Sequence, residues 1–218
     1  MTKENKNKRI FKLYQGLLKK YGEPRDFWQE WCKDKKTLKE KERIILGAIL
    51  TQRVNWRNVE MAFDNLKKAD YSGVEKIYRL GKSNLEGLEN LIKPTGFYKQ
   101  KAKRLFGLCD FLIKQGGLEN FFKKPTATCR KELLELPGIG PETADDILLY
   151  AGKKLVFVID EYTRRLAKKL NLTNDFSYGN LQELFQQNLP KDVKIYRDLH
   201  AMIVLEGRGT DWDLVTKV

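Results

Sequence analysis

Apolar residues recur at three- and four-residue spacing along most of the chain, in short segments cut apart by glycine and proline. That rhythm leaves room for little besides packed helices. It predicts helices over 10–20, 41–50, 56–68, 85–92, 100–114, 118–122, 128–136, 142–150, 161–170, 178–187 and 194–206. Strand-type alternation is nearly absent, so the expected fold class is all-α. In 41–50 the apolar residues Ile44, Ile45, Leu46, Ala48, Ile49 and Leu50 wrap almost fully round the helix, which places it at the centre of a bundle. The run Leu155 to Ile159 could be extended, but a lone strand is unstable, and a buried connector is the expectation. Lys3 to Arg9 reads as a frayed basic arm.

The chain of 218 residues is long enough for one large domain or two intertwined lobes. Lys and Arg number 42 against 29 Asp and Glu, a formal charge of +13, which favours a polyanionic partner, nucleic acid first. Cys32, Cys109 and Cys129 are odd in number and scattered, with no CxxC pair, so neither a disulfide framework nor a zinc site is indicated and a reducing cytoplasm is expected. No apolar run approaches bilayer length, so no membrane partner is expected.

The most chemically informative stretch is LPGIGPETADDILLYAGKKLVFVID, residues 136 to 160. Pro137 ends one helix, Gly138 and Gly140 are free to take positive φ, and Pro141 suits the first position of the next helix. Helix-start amides then point back at the turn, making an anion pocket in which a nucleic-acid phosphate can sit close to the backbone, with Leu136, Gly138, Gly140 and Thr143 around it. A plain Gly/Pro link between helices is the alternative. Asp160 ends the apolar run just before Glu161-Tyr162-Thr163, a place suited both to an N-cap and to a partly desolvated, ionised carboxylate.

LPGIGPETADDILLYA with VFVIDEYTRRL resembles the helix-hairpin-helix and Gly/Pro-rich loop with Asp of the endonuclease III superfamily of DNA glycosylases. GAILTQRVNWRNVEMAFDNL resembles that superfamily's helix pair, KPTGFYKQKAKRL its DNA-wedge loop, and His200 to Val204 a closing segment. The branch most similar is the endonuclease III-related, 3-methyladenine DNA glycosylase III type. The resemblance implies two all-α lobes, residues 1–40 plus 155–218 and a six-helix barrel at 41–154, with a DNA-binding groove between them. It implies base excision repair acting on double-stranded DNA with a damaged base, by a monomeric, cytoplasmic, nucleoid-associated enzyme.

By the same resemblance Asp160 is the catalytic carboxylate, Gln52 the plug for the vacated base position and Phe97 the wedge. On the residues alone, Gln52 could equally be a solvated helix end, and Phe97 a core aromatic. Trp28, Trp31 and Tyr98 are candidates for the base pocket, against the bland reading of core aromatics; the related branch has adjacent tryptophans followed by proline, whereas here Trp28 and Trp31 are separated and a lysine-rich insertion, 33–41, follows. Bifunctional members carry a lysine at the second position after the last hairpin glycine; Glu142 stands there, and a carboxylate cannot form an imine. The implied enzyme is therefore a monofunctional glycosylase for an alkylated purine, with a bifunctional glycosylase/lyase and a non-catalytic DNA-binding module as alternatives. Many superfamily members hold an iron–sulfur cluster on four cysteines; no such run is present, so no cofactor and no metal is expected. His200, in the apolar HAMIVL, is expected to be a packed helix residue without a catalytic role.

Overall fold

The computed structural model describes residues 3–24 and 27–208. Thirteen α-helices, α1 to α13, account for most of the described residues, with no strand among them. The chain divides into two compact units, residues 36–147 and residues 1–35 with 148–218. The expected lobe limits were 40 and 154.

The first, hairpin unit runs from α3 (Leu38–Leu50) through α4 (Trp56–Lys68), α5 (Val74–Ser83), α6 (Leu85–Leu91), α7 (Tyr98–Lys114), α8 (Leu118–Phe122) and α9 (Thr126–Leu134) to α10 (Pro141–Asp146). That is more segmented than the six helices expected. Helix α5 escapes the sequence reading because its apolar face is only Val74, Ile77, Leu80 and Gly81, and Gly81 resembles a break. Thr37 opens α3 with a reciprocal capping box: its hydroxyl accepts the Glu40 amide, and Glu40 accepts the Thr37 amide at 2.6 Å. From there Ile44 to Leu50 are buried without interruption, as the all-round apolar pattern requires. Helix α3 packs on α7 and α10.

The second, carboxylate unit is built round α13 (Val193–Arg208), against which α1 (Lys3–Tyr21), α2 (Phe27–Cys32) and α11 (Glu161–Lys169) pack, while α12 (Tyr178–Asn188) packs on α1. Lys3 to Arg9, expected to fray, belongs to α1. The segment after α10 makes a buried π-turn at Ile147–Ala151, then an extended, buried run from Val156 to Ile159. No strand pairs with that run, yet buried backbone groups need partners. Side chains of α12 supply them. Phe157 N–H donates to Gln186 Oε1 at 3.0 Å, Gln182 Nε2 donates to Phe157 O at 2.7 Å, and Ile159 N–H donates to Tyr178 Oη at 3.4 Å. Replacing Gln182 with Met keeps the bulk and strands the Phe157 carbonyl. We expect urea denaturation of Gln182→Met to show a loss of roughly 1–3 kcal/mol, the cost of one unsatisfied buried polar group.

Candidate active site

The hairpin sits at the junction of α9 and α10. Helix α9 ends at Leu134, two residues earlier than Pro137 alone implies, and α10 begins with Pro141 as its first residue. Only one of the two glycines takes positive φ: Gly138 has φ +80°, whereas Gly140 is extended at φ −90°. Ile139 between them is buried and anchors an otherwise exposed turn. Arg130 and Asp145 lock the two helices together through paired bonds of 2.8 and 3.1 Å, with Asp145 fully buried.

Gln52, one residue past the cap of α3, is turned onto this hairpin. Its Nε2 donates to Gly138 O at 3.1 Å and to Thr143 Oγ1 at 3.0 Å, and its Oε1 accepts from Arg104 Nη1 at 2.6 Å. Arg104, on α7, lies so close to the turn that a Cβ on Gly138 would fall 2.1 Å from its Nε. A recess of about 350 Å³ beside it is lined by Gln100, Lys103, Arg104 and the turn from Leu136 to Gly138. Thr143 is buried and Glu142 is exposed.

Phe97 stands out from the surface, 62 % exposed, with left-handed backbone at φ 46°. A large apolar side chain held outward by a strained residue is not core. Tyr98 follows as the first residue of α7, half-buried. Beneath this loop Lys101 is 1 % exposed and donates to Leu50 O at 2.8 Å and Thr95 O at 2.7 Å. Burial, with Arg104 adding repulsion, lowers its pKa from an ordinary 10.5 to about 8.

In the carboxylate unit Asp160 is the N-cap of α11, its Oδ1 accepting from Thr163 N–H at 2.7 Å. Its Oδ2 lies 3.7 Å from His200 Nε2, and Tyr150 Oη lies 2.6 Å from His200 Nδ1. Burial alone would raise the Asp160 carboxyl, but His200 and the Thr163 amide outweigh it and hold the group below its ordinary value. Trp28 and Trp31, considered for the base pocket, are 5 % and 3 % exposed. One helical turn brings both to the same face of α2, where they pack on Tyr150 at 5.5 and 5.2 Å, and Trp28 meets His200 edge-on at 5.8 Å. As folded, their rings belong to the core of this unit.

Within the hairpin unit the structure thus brings Gln52, Gly138 and Thr143 together, with Phe97 on a neighbouring loop tied to the same helix end by Lys101. Within the carboxylate unit it brings Trp28, Trp31 and Asp160 round His200. Sequence reasoning missed Lys101, Arg104, Arg130 and the Tyr150–His200 pair. Lys101 had a legible signal, since it occupies the apolar face of α7 that continues through Leu105, Leu108 and Leu112.

The sequence matches the HhH-GPD superfamily base excision DNA repair protein family over residues 46–191. The chain belongs to that superfamily. A candidate DNA repair glycosylase of Methanocaldococcus jannaschii is 41 % identical over 206 residues, covering 93 % of this chain and 88 % of that protein. Endonuclease III of Thermotoga maritima is 30 % identical over 152 residues, 69 % of this chain and 66 % of that one. Among solved structures, H. pylori 3-methyladenine DNA glycosylase bound to 1,N6-ethenoadenine superposes with a TM-score of 0.74 at 29 % identity, covering 93 % of this chain and 97 % of the other. The chain is a DNA glycosylase of the endonuclease III-like superfamily.

An iron–sulfur cluster calls for four thiolates. This HhH-GPD chain has three cysteines, each buried and outside any disulfide, in α2, α7 and α9, and among the described residues no group of His, Cys, Asp and Glu could hold a metal ion. These residues do not fit a cluster. None of the described helices is long and apolar enough to cross a membrane.

Two outcomes follow from the hairpin geometry. Gly138→Ala must place a Cβ against Arg104 at positive φ, and we expect it to lower stability by about 1–3 kcal/mol, whereas Gly140→Ala, with open space and extended backbone, should stay within about 1 kcal/mol in thermal unfolding. For Lys101, the unfolded chain binds the extra proton between the folded value near 8 and the unfolded 10.5, so the charge penalty present below pH 8 is relieved as pH rises through that window. The stability difference between wild type and Lys101→Met should therefore shift in favour of the wild type from about pH 8 to 10.5 and be flat below it.

Proposed function

We propose that the chain is a monofunctional glycosylase that hydrolyses the N-glycosidic bond of an alkylated purine in double-stranded DNA. What carries this is that, in the hairpin unit, an exposed glutamate, Glu142, stands where bifunctional relatives need an amine, while in the carboxylate unit Asp160 is held ionised and nearly dehydrated. The hairpin backbone at Leu136, Gly138, Gly140 and Thr143 grips one phosphate without reading sequence, helped by the positive recess at Lys103 and Arg104. Phe97 wedges into the stack and Gln52 exchanges its hairpin bonds for the orphaned partner base. Tyr98 is offered to the base, while Trp28 and Trp31 keep their buried places in the carboxylate unit. The protein acts as a monomer on nucleoid DNA, as two helical lobes.

The chemistry needs one carboxylate. As the C1′–N bond breaks, its electron pair passes to the purine, which was cationic and leaves neutral, so no general acid is required. The sugar develops oxocarbenium character that the fixed Asp160 charge stabilises. Water adds to C1′ and gives its proton to the carboxylate or to solvent, leaving an abasic sugar. Preference for an alkylated purine is supported by the likeness to the H. pylori 3-methyladenine glycosylase.

Asn caps helices about as well as Asp, so Asp160→Asn should fold normally and bind duplex within about threefold, while base release from methylated DNA falls at least about a hundredfold. Unchanged release would remove Asp160 from the reaction. Borohydride added during turnover of the wild type should trap no covalent protein–DNA adduct; a trapped adduct would show a lyase and defeat the monofunctional assignment. A duplex panel carrying 3-methyladenine, 7-methylguanine, uracil, thymine glycol and 8-oxoguanine, scored for free base, should rank the alkylated purines first.

A further inference from the structure

His200 is the single histidine of the chain, and it is buried at 3 % exposure with both ring nitrogens directed at side-chain oxygens. Nδ1 lies 2.6 Å from Tyr150 Oη, and Nε2 lies 3.7 Å from Asp160 Oδ2. Tyr150 Oη is also 3.2 Å from Arg197 O, an oxygen that can only accept. Two proton arrangements fit the Tyr150–His200 contact, and only the first also makes the bond to Arg197 O. In one, Tyr150 donates to Arg197 O and receives Nδ1–H, so the ring is an imidazolium. In the other, Tyr150 donates to Nδ1 and the ring is neutral. Both leave a hydrogen on Nε2, the nitrogen that faces Asp160; the remaining tautomer would set a lone pair against a carboxylate.

We propose that His200 is a positioning residue for base release: clasped by Tyr150, it aims Nε2–H at the outer oxygen of Asp160 and keeps that carboxylate charged and oriented where water is scarce. The proposal rests on Asp160 being the reacting carboxylate. The other oxygen is already fixed by Thr163 N–H, so the two contacts together define the carboxylate plane. The position of the imidazole is fixed in turn by an aromatic enclosure: Trp28 at 5.8 Å and Phe157 at 6.4 Å both meet it edge-on, and Tyr150 is tilted against it. That enclosure gives the core placement of Trp28 a purpose. Without His200, only Thr163 would be left to oppose the effect of burial on Asp160. The titratable groups around the pair, among the described residues, are Tyr150 on the π-turn and, on α13 itself, Arg197 and Asp198, which are engaged with each other and with Asp34 and Lys194. From α1, Lys20 and Tyr21 are engaged with Glu206 of α13.

The test compares single-turnover base release from dimethyl-sulfate-treated duplex across pH for wild type, His200→Phe, His200→Gln and Tyr150→Phe. His200→Phe fills the aromatic enclosure but donates nothing. We expect its rate at neutral pH to fall at least about tenfold and its acid limb to move up by about one pH unit or more, with duplex binding unchanged. His200→Gln, which keeps an N–H donor, should recover part of the rate, and Tyr150→Phe should move the limb in the same direction by less. A second readout needs no activity. With one histidine, the imidazole ¹⁵N signals of the full chain are unambiguous, and the Nε2 signal should move in Asp160→Asn relative to wild type, while Nδ1, held by Tyr150, moves less. An acid limb that stays put in both His200 variants, or an Nε2 signal indifferent to Asp160→Asn, would overturn the proposal. If Asp160→Asn itself still released base, the failure would lie with the catalytic assignment instead.

Discussion

A carboxylate placed in a protein interior stays charged only when both oxygens are held, and Asp160 is the point from which the rest of the carboxylate unit can be understood. Its Oδ1 caps α11 and its Oδ2 faces His200, so one residue starts a helix and holds a negative charge against burial. The two roles support one another, because the cap amide fixes the rotamer from which the second oxygen must act. The extended run before it has to arrive from the π-turn with no strand to pair with. Gln182 and Gln186 of α12 stand in for that strand. Helix α12 thus fixes the path by which the chain reaches Asp160.

The hairpin unit solves a different problem, how to keep a glycine turn exposed without letting it collapse. Ile139 buries the apex, Arg130 and Asp145 join the flanking helices, and Gln52 bridges Arg104 to the turn carbonyl. The positive φ of Gly138 and the absence of a Cβ there also let the Arg104 guanidinium come close, which adds charge at the place where the backbone alone would offer only partial dipoles. Gln52 is accordingly held in a definite rotamer before any DNA arrives, and any entry into a base gap must compete with about three hydrogen bonds, each worth roughly 1 kcal/mol net.

Much of this was legible in the sequence because it depends on local rules. The all-round apolar stretch of α3, the start of α10 at Pro141, the cap at Asp160 and the unpaired run before it are consequences of spacing and residue type. What escaped was nonlocal. Gly140 looks like Gly138 in the sequence, but only the path of the chain decides which takes positive φ. His200 sits in an apolar run whose periodicity correctly predicts burial and says nothing about the group 40 positions earlier that it meets. Trp28 and Trp31 share a face by helical spacing, yet spacing cannot tell a base pocket from the packing round an imidazole. The short α5 was lost to a glycine that serves packing instead of a turn.

The most economical device in the molecule is one that neither motif nor resemblance marks. Lys101 gives its ammonium to the carbonyls of Leu50 and Thr95. Leu50 ends α3, where the carbonyls carry the negative end of the helix dipole, so they offset part of the penalty that burial places on the ammonium. Each of those carbonyls lies two residues before a side chain proposed to enter DNA, Gln52 in one case and Phe97 in the other. Each is followed by a left-handed non-glycine residue, Arg53 at φ 56° and Phe97 itself at φ 46°, conformations that persist only where neighbours enforce them. One buried ammonium therefore holds the bases of both loops and sets the distance between them, a rigidity that two independent surface loops would lack.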